Sequence, residues 1–153
     1  MACPSLLEFA EKMQGIMPII IREFAKRQAN ELYTGKITLP QFLILDFLHK
    51  KDESKMKDLA YFMHVTTAAT TGIVARLVKY AYVQRVFDSS DRRIIKIRLT
   101  VKGAELVKRV NQQRRQMIIK IFGKISPAER QNYLKTLLRI HDILIQEKEA
   151  HSE

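Results

Sequence analysis

Apolar residues near the start of the chain recur at alternating steps of four and three: Leu6, Ala10, Met13, Met17, Ile20 and Phe24. That spacing lines one face of a helix. Ile16, Ile19 and Ile21 widen the face beyond what packing on one side requires, and Pro18 is expected to kink the helix. Ser5-Leu6-Leu7-Glu8 fits a capping box, in which hydroxyl and carboxylate each satisfy an orphan backbone N–H. The turn Thr34-Gly35-Lys36 is expected to end the helix. Thr38-Leu39-Pro40-Gln41 repeats the capping pattern, with Pro in the first turn, where its missing N–H costs nothing. A short apolar helix should run from there to about His49, followed by a polar loop from Lys50 to Ser54.

Ser54 can cap a helix from Lys55 to Phe62. A break at Met63-His64-Val65 follows, and Thr66 then opens a helix to about Lys79 whose inward face is Thr70, Ile73, Val74 and Leu77. Two short helices joined by a tight break make a helix-turn-helix, with the small Ala60 where they would cross. The period then changes to two. Tyr82 to Phe87 and Ile94 to Leu99 read as strands, with Ile95, Ile97 and Leu99 alternating with Lys96 and Arg98. Asp88-Ser89-Ser90-Asp91-Arg92-Arg93 between them is a polar hairpin tip, a wing. Thr100 should cap a long helix to about Phe122. Ser126-Pro127-Ala128-Glu129 is a third capping box, opening a last helix with Leu134, Leu137, Leu138, His141, Leu144 and Ile145 on one face, broadened by Tyr133 and Ile140. The fold class expected is mainly α with a small β-wing (α+β), a single domain over residues 1–153.

Charge changes the picture through its placement. The formal net charge is +11, and residues 72–124 hold 14 Lys/Arg against 3 Asp/Glu, which accounts for all of it. The remainder of the chain is neutral, with 13 of each sign. A neutral body with one concentrated basic segment is an electrostatic footprint for a polyanion.

Recognition of duplex DNA needs three things, and each has a candidate. The first is a helix face that can enter the major groove. Opposite its apolar side, the helix from Thr66 offers Thr66, Thr67, Thr71 and Arg76 among small residues; the alternative is that its threonines only cap and fill. The second is a cationic arm for the minor groove, supplied by Arg92 and Arg93. Asp91 beside them makes sense as a brace that fixes an arginine fork by charge-assisted hydrogen bonds. The third is phosphate anchoring, for which Lys55, Lys57, Lys79, Arg85, Lys96 and Arg98 are available.

Other chemistry finds little support. There is no Gly-rich phosphate loop, and His49, His64, His141 and His151 show no metal-ligand spacing, so neither an enzyme nor a metal site or other cofactor is expected. A winged-helix module that binds only protein is the remaining rival, and the confined charge argues against it. The single cysteine, Cys3, excludes an intrachain disulfide. With 46% apolar and 28% charged residues the chain reads as globular. The run Ile16 to Ile21 is too short to span a bilayer, so a cytoplasmic protein is expected.

Several stretches together resemble the MarR (multiple antibiotic resistance regulator) family of winged helix-turn-helix transcription factors. Pro40-Gln41-Phe42 with Leu45 and Leu48 resembles the family's second helix, and Leu59-Ala60 the opening of its helix-turn-helix. Leu77, Val83 and Arg85 resemble the exit into the wing. Asp91-Arg92-Arg93, Leu99-Thr100 and Lys102-Gly103 resemble the family signature. The resemblance implies a homodimer on double-stranded DNA, most often a repressor, with dimerisation helices at about residues 5–33 and 104–150 and the winged helix-turn-helix at about 37–100. It implies that Arg93 is the wing-tip minor-groove residue. It also implies a small aromatic or phenolic effector in a cleft that Met13, Met17, Phe24, Phe42 and Phe47 could border. The family usually has Gly where Ala81 stands, and many helix-turn-helix turns prefer Gly where His64 stands. A left-handed conformation at Ala81 would cost about 1 kcal/mol relative to Gly.

Overall fold

Side-chain caps set where most of the helices begin. In the computed structural model, which describes residues 4–27 and 36–150 with side chains to residue 146, three expected capping boxes form. Ser5 accepts from the Glu8 N–H while Glu8 accepts from the Ser5 N–H; Thr38 with Gln41 and Ser126 with Glu129 do the same. The order is α1 (Leu6–Lys26), α2 (Leu39–Lys51), β1 (Glu53–Lys55), α3 (Met56–Met63), α4 (Thr67–Lys79), β2 (Val83–Phe87), β3 (Ile95–Leu99), α5 (Val101–Phe122) and α6 (Pro127–Ala150). The turn expected at Thr34-Gly35, and Cys3, lie outside the described residues.

The chain divides into two compact units, residues 1–114 and 115–153. The first is built around a core of Phe42, Ile44, Leu45 and Leu48 from α2, Leu59 from α3, Val74 and Leu77 from α4, Val83 and Ile97 from the sheet, and Leu106, Val107 and Val110 from α5. Each is at most 2% exposed. Helix α1 contributes no buried residue. In the second unit Phe122 and Tyr133 stack with ring centres 5.4 Å apart. The Arg130 guanidinium there donates to the Phe122 and Ile125 carbonyls at 3.0 and 2.6 Å, closing the last turn of α5.

The sheet has three strands where the sequence suggested two. Its order is β1-β3-β2, all antiparallel. The expected loop at 50–54 is instead the end of α2, a positive-φ residue (Asp52, φ 68°) and strand β1. Three residues, Glu-Ser-Lys, are too few to show a period of two. Their pairing with β3 comes from elsewhere in the chain, with Glu53 opposite Arg98, Ser54 opposite Ile97 and Lys55 opposite Lys96. Ser54 is therefore a buried strand residue and not the helix cap that was expected. Helix α3 begins after Lys55 with no side-chain cap.

Both helices of the helix-turn-helix end in the same way. His64 and Ala81 take left-handed φ values of 53° and 57°. The residue after each donates back five residues, Val65 N–H to Ala60 O at 3.2 Å and Tyr82 N–H to Leu77 O at 2.9 Å. His64 and Ala81 themselves donate to Tyr61 O and Val78 O. This paired bond pattern is a Schellman motif, in which glycine is the usual left-handed residue. The turns keep their usual geometry here with a side chain in place.

Candidate nucleic-acid interface

Helix α4 is positioned by its buried side. Thr70, Val74 and Leu77 face the core, and the Thr70 hydroxyl, buried with them, donates to Thr66 O at 3.1 Å. Thr66 is the cap, accepting the Ala69 N–H. The opposite side, Thr67, Ala68, Thr71, Gly72, Ala75, Arg76 and Lys79, is exposed throughout. A methyl added at Gly72 would meet open space. The Thr71 hydroxyl donates to Thr67 O at 2.8 Å, so its hydrogen is committed to its own helix. What Thr71 offers outward is a methyl group and an acceptor oxygen.

The exit from α4 is tied to the start of α5. The Thr100 hydroxyl donates to Ala81 O at 2.6 Å, with Tyr82 O at 3.2 Å, and accepts the Gly103 N–H at 3.1 Å, giving the expected cap. The Lys102 ammonium donates to Tyr80 O at 2.8 Å and lies over the Tyr82 ring. A Cβ on Gly103 would stand 2.0 Å from Tyr82 O, so only glycine allows this approach. Leu99-Thr100 and Lys102-Gly103 thus join helix to wing.

The wing tip is folded by two carboxylates. Asp88 Oδ1 accepts the Ser90 N–H at 2.9 Å, the Asp91 N–H at 3.2 Å and the Ser90 hydroxyl. Asp91 Oδ1 accepts the Arg93 N–H at 2.9 Å. Such bonds from Asp to the main chain two residues on mark an Asx turn. Asp91 is a brace, but of the Arg93 backbone, where a grip on a guanidinium was expected. With both acids turned onto the main chain, Arg92 and Arg93 are exposed at the tip.

Lys55, Lys57, Arg76, Lys79 and Arg85 are exposed as well, whereas Lys96 and Arg98 have other partners. Lys96 Nζ lies 2.6 Å from Glu53 Oε1 and 2.7 Å from Asp88 Oδ2, and Arg98 pairs with the other oxygen of Glu53. The pairing register puts Glu53, Lys96, Arg98 and Asp88 on one face, away from Ile97 and the core. The bond from Lys96, then that from Ser90, holds the Asp88 carboxyl well below the usual range. Lys96 and then Arg98 lower Glu53, and Asp88 and then Glu53 raise Lys96. Glu53 and Asp88 were not among the residues singled out in the sequence. Asp88 left a trace in the Asp-Ser-Ser-Asp order of the tip; Glu53 left none.

Of the residues expected to border an effector cleft, two are packing residues. Phe42 is 1% exposed in the core, with the Arg114 guanidinium over its ring. Phe47 packs against Phe62, ring centres 4.3 Å apart. Met13, Met17 and Phe24 lie on α1, partly or largely exposed. Among the described residues no cluster of His, Cys, Asp and Glu could hold a metal ion, and no helix is long and apolar enough to cross a membrane.

Two short helices meeting at a left-handed break, followed by a small antiparallel sheet with an arginine-tipped hairpin, define a winged helix-turn-helix protein. Residues 37–95 match the model of the MarR family. Over that segment the chain is similar to the MarR family of DNA-binding transcriptional regulators. It is 28% identical to the uncharacterized HTH-type transcriptional regulator YsmB of Bacillus subtilis over 104 residues, 68% of this chain and 71% of that protein. It is also 28% identical to the HTH-type transcriptional regulator FarR of Neisseria gonorrhoeae over 116 residues, 74% and 80% of the two chains. Among solved structures, RV1404 of Mycobacterium tuberculosis is 25% identical, with a TM-score of 0.78 over 93% of this chain and 96% of that one. FabT of Streptococcus pneumoniae, solved in complex with DNA, shares the fold at 20% identity, with a TM-score of 0.77 over 93% and 99%.

Proposed function

We propose that the protein is a homodimeric repressor that binds a pseudo-palindromic operator in the cytoplasm, with half-sites roughly 10 bp apart. The observation that carries this reading is the wing tip, where both carboxylates bond the main chain and both arginines are left exposed. An exposed arginine pair suits the negative potential of a narrow minor groove. Thr66, Thr67, Thr71 and Arg76 then face base edges in the major groove, while Lys55, Lys57, Lys79 and Arg85 anchor phosphates. Lys96 and Arg98 stand behind the wing, neutralised by carboxylates. FabT, solved with DNA, supports the choice of duplex DNA as ligand. Release by a small aromatic or phenolic effector is the corresponding mode of control, with Met13, Met17 and Phe24 as its candidate contacts.

The test begins with selection of binding fragments from a random duplex pool. On a selected duplex, Arg93→Ala should weaken binding by about 1–3 kcal/mol, the scale of a good base or groove contact. Lys57→Ala should instead weaken binding to all sequences alike and reduce the salt slope by about 1. An Arg93→Ala protein that binds like the wild type would remove the wing from the mechanism.

A further inference from the structure

We propose that Glu53 is a positioning residue for the wing: through Lys96 it fixes Asp88, and through Asp88 the pose of Arg92 and Arg93. The proposal rests on the reading that the wing tip contacts DNA. Four charges alternate in sign across the outer face of the sheet, in the order Arg98, Glu53, Lys96, Asp88. Arg98 and Lys96 lie on β3, Glu53 on the edge strand β1, and Asp88 just past the end of β2. Asp88 is the joint between this ladder and the tip. One of its oxygens takes the Lys96 ammonium at 2.7 Å, and the other takes the Ser90 and Asp91 N–H groups. Asp91 in turn holds the Arg93 N–H. Lys96 is 22% exposed and Asp88 11%, so water competes for this contact less than it does at the arginines.

Glu53 matters because Lys96 alone is a long, flexible cation. Anchored only by Asp88, its ammonium could swing to a phosphate and take the tip with it. Held at 2.6 Å by a carboxylate from a different strand, it has one place to be. The sequence separation of 43 residues between Glu53 and Lys96 means that the wing is referenced to the body of the domain. An anionic residue thereby supports binding to a polyanion.

That sign separates the proposal from simple electrostatics. Replacing Glu53 by Gln removes a negative charge, frees Arg98 and leaves Lys96 with Asp88 alone. If charge alone counted, Glu53→Gln would bind DNA more tightly and with a salt slope steeper by about 1 to 2, since each new phosphate contact adds about 0.9. The proposal expects the reverse: affinity for a selected duplex falls about tenfold, the salt slope is unchanged, and Glu53→Gln adds nothing in an Arg93→Ala background. Asp88→Asn, one step further along the ladder, should be equally silent in that background. Hydrogen exchange on the DNA-free protein supplies a readout that needs no binding. The Ser90 and Asp91 amides should exchange faster in Glu53→Gln while core amides of α4 keep their protection. Tighter binding, additivity with Arg93→Ala, or unchanged tip exchange in the folded variant would each overturn the proposal. If the wild-type protein binds no duplex even at low salt, it is the DNA reading of the wing that fails, whatever the exchange result.

Discussion

Two single residues where α4 leads through the wing to α5, and one on α4 itself, carry predictions. Ala81 occupies a left-handed position, φ 57°, where a Cβ meets the following carbonyl and costs about 1–2 kcal/mol. Part of that is offset because glycine is freer in the unfolded chain. Ala81→Gly should therefore stabilise the protein by about 0.5–1 kcal/mol, read as a rise of a few degrees in Tm. Gly103→Ala should do the opposite, by about 2–3 kcal/mol, because Tyr82 O, 2.0 Å from the new methyl, is held by the Thr100 N–H and cannot retreat. Thr71 carries a third expectation, about specificity. Its hydroxyl hydrogen is already donated to Thr67 O, so the outward group with most to offer is the methyl, which matches a thymine methyl. Thr71→Val should leave affinity for a selected duplex within about twofold. Thr71→Ser should lose about fourfold, the scale of one buried methyl group. A Val variant that binds worse than the Ser variant would show that the oxygen does the reading.

At the scale of elements, the parts legible in the sequence are those whose signal is local. Capping boxes at Ser5, Thr38 and Ser126 and the apolar period of α4 announce themselves within a few residues, and all appear in the structure. Strand β1 and the place of Glu53 in the salt-bridge ladder were not legible, because they exist only by pairing across more than 40 residues. The error at Ser54 has the same origin: a serine before a polar stretch looks like a cap until a distant strand claims its backbone. The ladder also fixes a pH response. Glu53 and Asp88 are held below their ordinary values, so their contribution is complete above about pH 4.5 and lost as pH falls through the lowered values. Lys96 is held above its ordinary value, so its contribution is complete below about pH 10 and lost as pH rises through the raised one. The Tm difference between the wild-type protein and Lys96→Met should therefore stay constant from about pH 5 to 9 and shrink in stronger acid. A difference that changed steadily through neutral pH would place the ladder's energetics elsewhere.

For the whole molecule the question is what covers its terminal helices. Soluble chains seldom leave large contiguous apolar faces open. Yet on α1 Leu6, Ile16, Ile19 and Ile21 are each at least 50% exposed, and on α6 Leu134, Leu138 and Leu144 are each more than 55% exposed. Each helix also carries polar residues, with as many acidic as basic side chains, and the basic excess is confined to residues 72–124. Along the chain, neutral helices with exposed apolar residues thus flank a cationic segment. In the homodimer proposed above, a second copy would cover these apolar residues. That proposal also makes a demand on the operator: two copies of α4 fixed by one interface must meet two half-sites at a fixed spacing. Leu138→Glu would place a charge in the proposed interface at a desolvation cost of several kcal/mol. The variant should sediment as a monomer at concentrations where the wild-type protein is a dimer. It should also bind a duplex carrying two half-sites no better than one carrying a single half-site, because the gain from linking two binding events is lost. A Leu138→Glu protein that stays dimeric would move the interface away from this face of α6, and a wild-type protein indifferent to half-site number would end the dimer reading.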